Sequence, residues 1–212
     1  MKYYKVLGKN GKACHGGSGS WHLPKNGKPG KWMPKIDNIE PCVRGYHLCE
    51  EGDLLEWLND EIYEAEGRGK SIRGTSKTVF EEARLIRKLD AWTERTARLF
   101  VADCAEIALP IYERHYPNDD RPRKAIEAAR KYADGLISKE EIDAAGAAAW
   151  AAAWDAAWDA AGAAGAAAGA AARAAGAAGA AARAAAWDAA WDAAWDAEKK
   201  WQTERLMKVL QG

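Results

Sequence analysis

From Ala144 to Ala197 the chain uses five residue types, Ala, Gly, Trp, Asp and Arg, and contains no Leu, Ile, Val, Phe or Met. As one straight helix this tract would extend about 80 Å at the usual rise of about 1.5 Å per residue, too long for a domain drawn from 212 residues. The tract is therefore expected to fold back. Gly162, Gly165, Gly169, Gly176 and Gly179 make its middle the weakest helical stretch, and the block GAAGAAA at 162–168 recurs at 176–182. Trp150, Trp154 and Trp158 precede this region, and Trp187, Trp191 and Trp195 follow it. Ala and Gly surfaces let helix axes approach closely, and the Trp rings supply apolar area where the axes diverge. The reading is a tightly packed helical hairpin, with self-association through its small-residue faces. A membrane span is not expected, because Asp159, Arg173 and Arg183 interrupt the apolar run. The GxxxG from Gly165 to Gly169 is read as a close-packing element.

Ahead of this tract the chain divides near residue 75. Residues 1–74 hold most of the Gly and Pro (GKNGK, GGSGS, PKNGKPGK) around short apolar runs, YYKVL and IYEAEG, which predicts strands and loops. From Thr78 onward Leu85, Leu89, Trp92, Thr96, Leu99 and Asp103 recur at steps of four and three, the spacing of one helix face. Arg84, Lys88, Arg95 and Arg98 fall on a second, solvated stripe of the same helix. Pro110 is expected to kink it and Pro117 to end it. In NDDRPRKAIEAARKYADG, Asp119 and Asp120 are capping candidates, Pro122 lies in the first turn and Gly135 is the stop signal. Ser138 and Glu141 fit a capping box that opens the next helix. The expected class is α+β, with a β-rich N-terminal domain at 1–74 and a helical bundle at 75–212.

The charges narrow the partners. With 31 basic and 31 acidic residues the chain has no net charge to attract a nucleic-acid polymer or an anionic membrane. MKYYKVLGKNGK turns polar at once, so no signal peptide is read and a cytoplasmic setting is expected. Cys14, Cys42, Cys49 and Cys104 are then expected as thiols. Cys42, His47 and Cys49, with Cys14 or His15, offer zinc-ligand chemistry, but C-x4-H-x-C departs from the usual knuckle spacing, and a metal-free protein is expected. No cofactor motif is found. Neither a Walker loop, nor G-x-S-x-G, nor HExxH occurs, which favours a binding protein over an enzyme.

The stretch ARLFVADCAEIALPIYERHYPNDDRPRKAIEAARKYADG carries ADCAE, then a proline, then DDRPRKAIEAAR. It resembles a family of immunity-type helical proteins. With the alanine repeats, the ending EKKWQTERLMKVL and an upstream GYHLCE, the chain is similar to proteins of bacteriophages and actinobacteria. The resemblance implies a compact helical C-terminal domain and a phage setting in a host cytoplasm. It transfers no catalytic residue.

Several polar residues are candidates for ligand binding. Arg121 and Arg123 either pair with Asp103 and Glu106 in a structural network or form a cationic pocket for phosphate. Arg173 and Arg183 stand alone among alanines, and Trp154, Trp158, Trp187 and Trp191 could stack a nucleobase beside them. In the N-terminal part His15, Tyr46 and Glu66 follow the His/Tyr/Glu order of ADP-ribosyltransferases, which they faintly resemble. His15 and Tyr46 are kept as binding candidates. The leading functional expectation is non-catalytic sequestration of a small nucleotide-derived immune signal. A protein-binding immunity or inhibitor module and a transferase-like enzyme are the alternatives.

Overall fold

The computed structural model describes residues 2–153, 155 and 196–211. The protein is α+β, a curled antiparallel sheet followed by helices. Two units are distinguished, Met1–Ala97 together with Lys200–Gly212, and Arg98–Lys199. The expected turn between Gly162 and Gly179 lies outside the described residues.

The first unit is built on strands β1 (Tyr3–Leu7), β2 (Tyr46–Leu48), β3 (Glu61–Arg73) and β4 (Thr78–Lys88), in the order β1-β3-β4-β2. YYKVL supplies β1, and IYEAEG opens β3, as their composition predicts. Along β3 and β4 the side chains alternate. Tyr63, Ala65, Ala83 and Leu85 enter a core with Leu7, Trp21, Leu48 and Phe80. Their neighbours form cross-strand ion pairs on the other face, Glu66 with Arg84 at 2.9 Å and Arg68 with Glu82 at 2.7 Å. The Arg68 and Arg84 guanidinium groups both stack on the Trp32 ring, at 4.0 and 4.6 Å from its centroid. Gly67 is required by packing: a Cβ there would lie 2.4 Å from the Phe80 ring.

The helical spacing read from Thr78 onward is corrected at its start. Thr78–Lys88 is a strand, so Leu85 is a sheet-core residue, and Arg84 and Lys88 belong to strand ion pairs rather than to a helical stripe. The apolar positions 85, 89 and 92 satisfy a helical period by coincidence. What decides the segment is β3, whose Tyr63 and Ala65 face remains unburied without a partner strand, and local spacing carries no record of that distant pairing. After β4 the chain turns, with the Trp92 ring N–H donating to the Asn59 carbonyl at 2.8 Å.

The sheet closes on itself. Tyr4 and Cys49 exchange backbone hydrogen bonds of 2.8 and 3.0 Å, which joins the chain just after β2 to the free edge of β1. The remaining edge of β4 is covered by the extended segment 30–36, whose Gly30, Met33 and Ile36 amides donate to the carbonyls of Leu85, Ala83 and Glu81.

Glu64 makes the first unit sensitive to acid. Burial raises its pKa, but hydrogen bonds from Arg87 and Lys2 outweigh that and hold it below the ordinary glutamate range. A carboxylate with a depressed folded-state pKa stabilises the fold above its unfolded pKa, about 4.3, and that stabilisation is lost as pH falls through the folded value. Glu64→Gln is expected to cost about 1 kcal/mol at neutral pH, given the partial exposure of Lys2 and Arg87. It should also flatten the loss of stability below about pH 4.3, measured by urea unfolding across that range.

Helix α1 (Glu94–His115), which belongs to the second unit from Arg98 onward, continues through Pro110 and stops two residues before Pro117. Helix α2 (Arg121–Ala133) follows, with Asp120 at its N-cap and a proline in its first turn. Its end is a Schellman motif. Gly135 adopts φ +71°, its amide donates to the Tyr132 carbonyl at 3.0 Å, and the Leu136 amide donates to the Lys131 carbonyl at 2.9 Å.

Residues 139–153 are helical and open on the predicted capping box. The Ser138 amide donates to Glu141 Oε2 at 2.7 Å, and the Glu141 amide donates to Ser138 Oγ at 3.2 Å. Ser138→Ala is expected to lower stability by about 0.5–2 kcal/mol, with the loss of amide-exchange protection concentrated in the first turn after residue 138.

Candidate functional site

A cavity of 570 Å³ opens in the first unit beside the seam between β1 and β2. The Tyr4–Cys49 bridge joins the edge of β1 to the chain just after β2, and Tyr4–Val6, Tyr46–Leu48 and the loops at 13–21 and 42–45 surround the opening. These loops need unusual backbone: His15 and Cys42 have φ of 54° and 64°, and Gly16, Gly19 and Gly45 are also in the positive range. The stretches HGGSGS and RGYHLC, separated by more than twenty residues in sequence, thus line one cavity.

Aromatic and cationic groups dominate its walls. The Tyr46 hydroxyl donates to the Pro34 carbonyl at 2.7 Å, and its ring meets the edge of Trp21 at 5.5 Å. His15 Nε2 lies 2.8 Å from the Trp57 carbonyl, and the two rings meet edge to face at 5.6 Å. Lys5 lies over the Trp21 ring at 5.1 Å and donates to the His47 carbonyl at 3.1 Å. Lys77 lies over the Trp57 ring at 4.2 Å. Burial, opposed only in part by its neighbours, holds the Lys5 ammonium below the ordinary lysine range. Burial also lowers His47, and the charges of Lys77 and Lys5 lower it further, so its imidazole is favoured in the neutral form.

The sequence candidates separate here. His15 and Tyr46 share the cavity, whereas Glu66 is absent from its walls and is engaged by Arg84 through bonds of 3.1 and 2.9 Å. The three residues of the transferase-like order are not brought together. The zinc candidates do not converge either. His47 Nε2 accepts the Cys42 amide at 2.9 Å, while the Cys49 thiol is buried, 3.6 Å from the Tyr4 carbonyl, and pushed up to about 12 by desolvation. Among the described residues no group of three or more His, Cys, Asp or Glu side chains is placed to hold a metal ion. Sequence reasoning missed Lys5, Trp21, Trp57 and Lys77. They are scattered over seventy positions, and only the closure of the sheet assembles them.

In the second unit Arg121 and Arg123 are engaged by carboxylates, but not by those expected. Arg121 makes bonds of 2.9 and 2.6 Å to the two oxygens of Asp119 and one of 3.0 Å to Asp155. The Tyr112 hydroxyl adds a bond of 2.7 Å to Asp119. Arg121 and then Tyr112 hold the Asp119 carboxyl well below its usual range; desolvation and Asp119 raise the Tyr112 hydroxyl to about 12. Arg123 grips Glu113 with both prongs of its fork, at 2.8 and 2.7 Å. Asp103 and Glu106 instead meet Arg130, at 3.0 and 2.5 Å. Arg130 was not singled out from sequence. Its signal was the pairing of Asp103 and Glu106 one helical turn apart, which presents two carboxylates to one cation. Arg173, Arg183, Trp154, Trp158, Trp187 and Trp191 lie outside the described residues.

Beside this network α1 presents an apolar face to solvent. Val101, Ala108 and Ile111 succeed one another at helical spacing, with Ile107 next to Ile111; Val101 is 63% and Ile111 66% exposed. Arg114 and His115 stand at its C-terminal end. Leu136 and Trp150 are also exposed in this unit. Among the described residues no helix is long and apolar enough to cross a membrane.

No curated protein and no solved structure matches the chain. Residues 87–209 match the family described as "Imm-5 like putative immunity protein", a span that takes in α1, the capped α2, the arginine–carboxylate network and the alanine tract. Because that span is more than half of the sequence, and because it coincides with the helices on which the ADCAE and DDRPR blocks lie, the chain belongs to the Imm-5 like family.

Proposed function

We propose that the chain is an immunity protein that acts by binding a protein toxin, with the exposed face of α1 as its docking surface. The observation that carries this reading is the combination of family membership with an apolar face left open to solvent on a helix of the matched span. Isolated exposed apolar residues are ordinary, but a row of them along one helix is the usual form of a protein-binding surface. Arg114 and His115 at the end of the row suit a partner whose apolar patch carries an acidic rim.

Nucleotide sequestration by Arg121 and Arg123 is less well supported. A phosphate placed there would have to displace Asp119, Asp155 and Glu113 from bonds already made in fork geometry. The apolar row asks for no such exchange. The test uses the full chain as bait in extracts of its native cells, followed by titration of the purified captured protein and by mass analysis of anything released on heating the bait. The expected result is a protein that binds directly and with saturation. Recovery of a nucleotide from the heated bait, with no directly binding protein, would contradict the proposal.

A further inference from the structure

We propose that the cavity between β1 and β2 is a second binding site, for a small organic dianion no larger than a mononucleotide. Its volume falls within the range of about 300–1,000 Å³ typical of small-molecule sites. Its position in the first unit, at residues 4–77, lies outside the family span of 87–209, so neither the family nor the docking reading accounts for it.

The charge distribution sets the ligand class. Three cations, Lys5, Arg44 and Lys77, line the cavity, and none of its described lining residues is Asp or Glu. Several cations of the first unit outside the cavity are matched. Lys2, Lys35, Arg68, Arg73, Arg84, Arg87 and Lys88 all have carboxylate partners. Lys5 and Lys77 instead rest on tryptophan faces, which hold an ammonium without neutralising it. A half-buried amine with no counter-ion is costly, and an anion seated between the two lysines would relieve that cost. Lowering of Lys5 and His47 by burial and by mutual positive charge agrees with a pocket that lacks negative charge.

The pocket's form favours a small molecule over a macromolecule. It is lined by residues of two strands and of the loops beside them, and Trp21, Tyr46 and Trp57 supply apolar and stacking area for the carbon skeleton of the ligand. Two ammonium groups call for two negative charges, which either a phosphate monoester or a dicarboxylate provides. The shared chemistry is the dianion.

Calorimetric titration of the full chain at low salt tests the inference with four probes: AMP, inorganic phosphate, succinate and uncharged adenosine. Saturable binding of AMP or succinate is expected, with adenosine at least about tenfold weaker, and with about a tenfold loss on Lys77→Met and on Lys5→Met. Lys124→Met, on an exposed lysine of the second unit, should change nothing. Tighter AMP than succinate identifies the phosphoryl group as the anion; the reverse identifies the carboxylate. Should Lys5→Met fail to fold, Lys77→Met alone decides. No saturable binding by any probe, equal affinity for adenosine and AMP, or AMP binding unchanged in Lys77→Met would overturn the proposal. None of these outcomes bears on toxin binding by the second unit, which is read from a separate titration.

Discussion

Replacing Leu85 by alanine is expected to destabilise the first unit by about 2–5 kcal/mol, the range for emptying a fully buried leucine site. The Leu85 side chain has no solvent exposure and lies in a core with Leu7, Trp21, Leu48, Tyr63 and Phe80. Removing it opens a void at the point where β4 turns its inner face to β3, and rigid strands on both sides limit collapse. Guanidinium unfolding followed by Trp fluorescence measures the loss. Arg84→Ala, one residue away on the outer face, is the control, and its cost should be about 1 kcal/mol, that of a half-exposed ion pair and a stack on Trp32, well below that of Leu85→Ala. The ratio between these neighbours reads out a strand with opposite faces. Similar costs at 84 and 85 would contradict the strand.

The second large effect is on binding. Val101→Asp combined with Ile111→Asp is expected to weaken the toxin complex by at least about 100-fold, since two central apolar contacts of about 2 kcal/mol each would be replaced by desolvated carboxylates. Both side chains are already in solvent in the free protein, so the melting temperature should stay close to that of the unchanged chain. That separation matters because a variant that merely unfolds would also lose binding. Titration with the captured partner and a thermal scan of the same samples distinguish the two causes.

How much of this was legible depended on the range of the interaction concerned. The capping box at Ser138 and Glu141, the stop at Gly135 and the strands at YYKVL and IYEAEG were all readable, because each is fixed by residues a few positions apart. Strand β4 was not. Its apolar positions fit two periods at once, and only the pairing of Ala65 with Leu85 and of Glu66 with Arg84 across the sheet resolves them. The cavity shows the same limit. His15 and Tyr46 stood out because Gly-rich turns and a Gly-Tyr context mark them locally, while Lys5 and Lys77 gave no local sign that they would be left without carboxylates. In the helices the sequence offered both an ion-pair network and an anion pocket for Arg121 and Arg123, and the structure pairs both arginines with carboxylates. The sequence misassigned the partners, since the choice between Arg121, Arg123 and Arg130 is made by how α1 and α2 are placed.

The measurement that bears most directly on the central claim is protection of a living cell. The captured partner is expressed from an inducible promoter, alone, with the full chain, and with the Val101→Asp, Ile111→Asp variant, and growth is followed after induction. The account predicts that the partner alone arrests growth, that the unchanged chain restores it, and that the stably folded variant does not. Restoration by the variant as complete as by the unchanged chain would contradict docking through the exposed face of α1. A partner that arrests growth equally with and without the unchanged chain would contradict the immunity function itself.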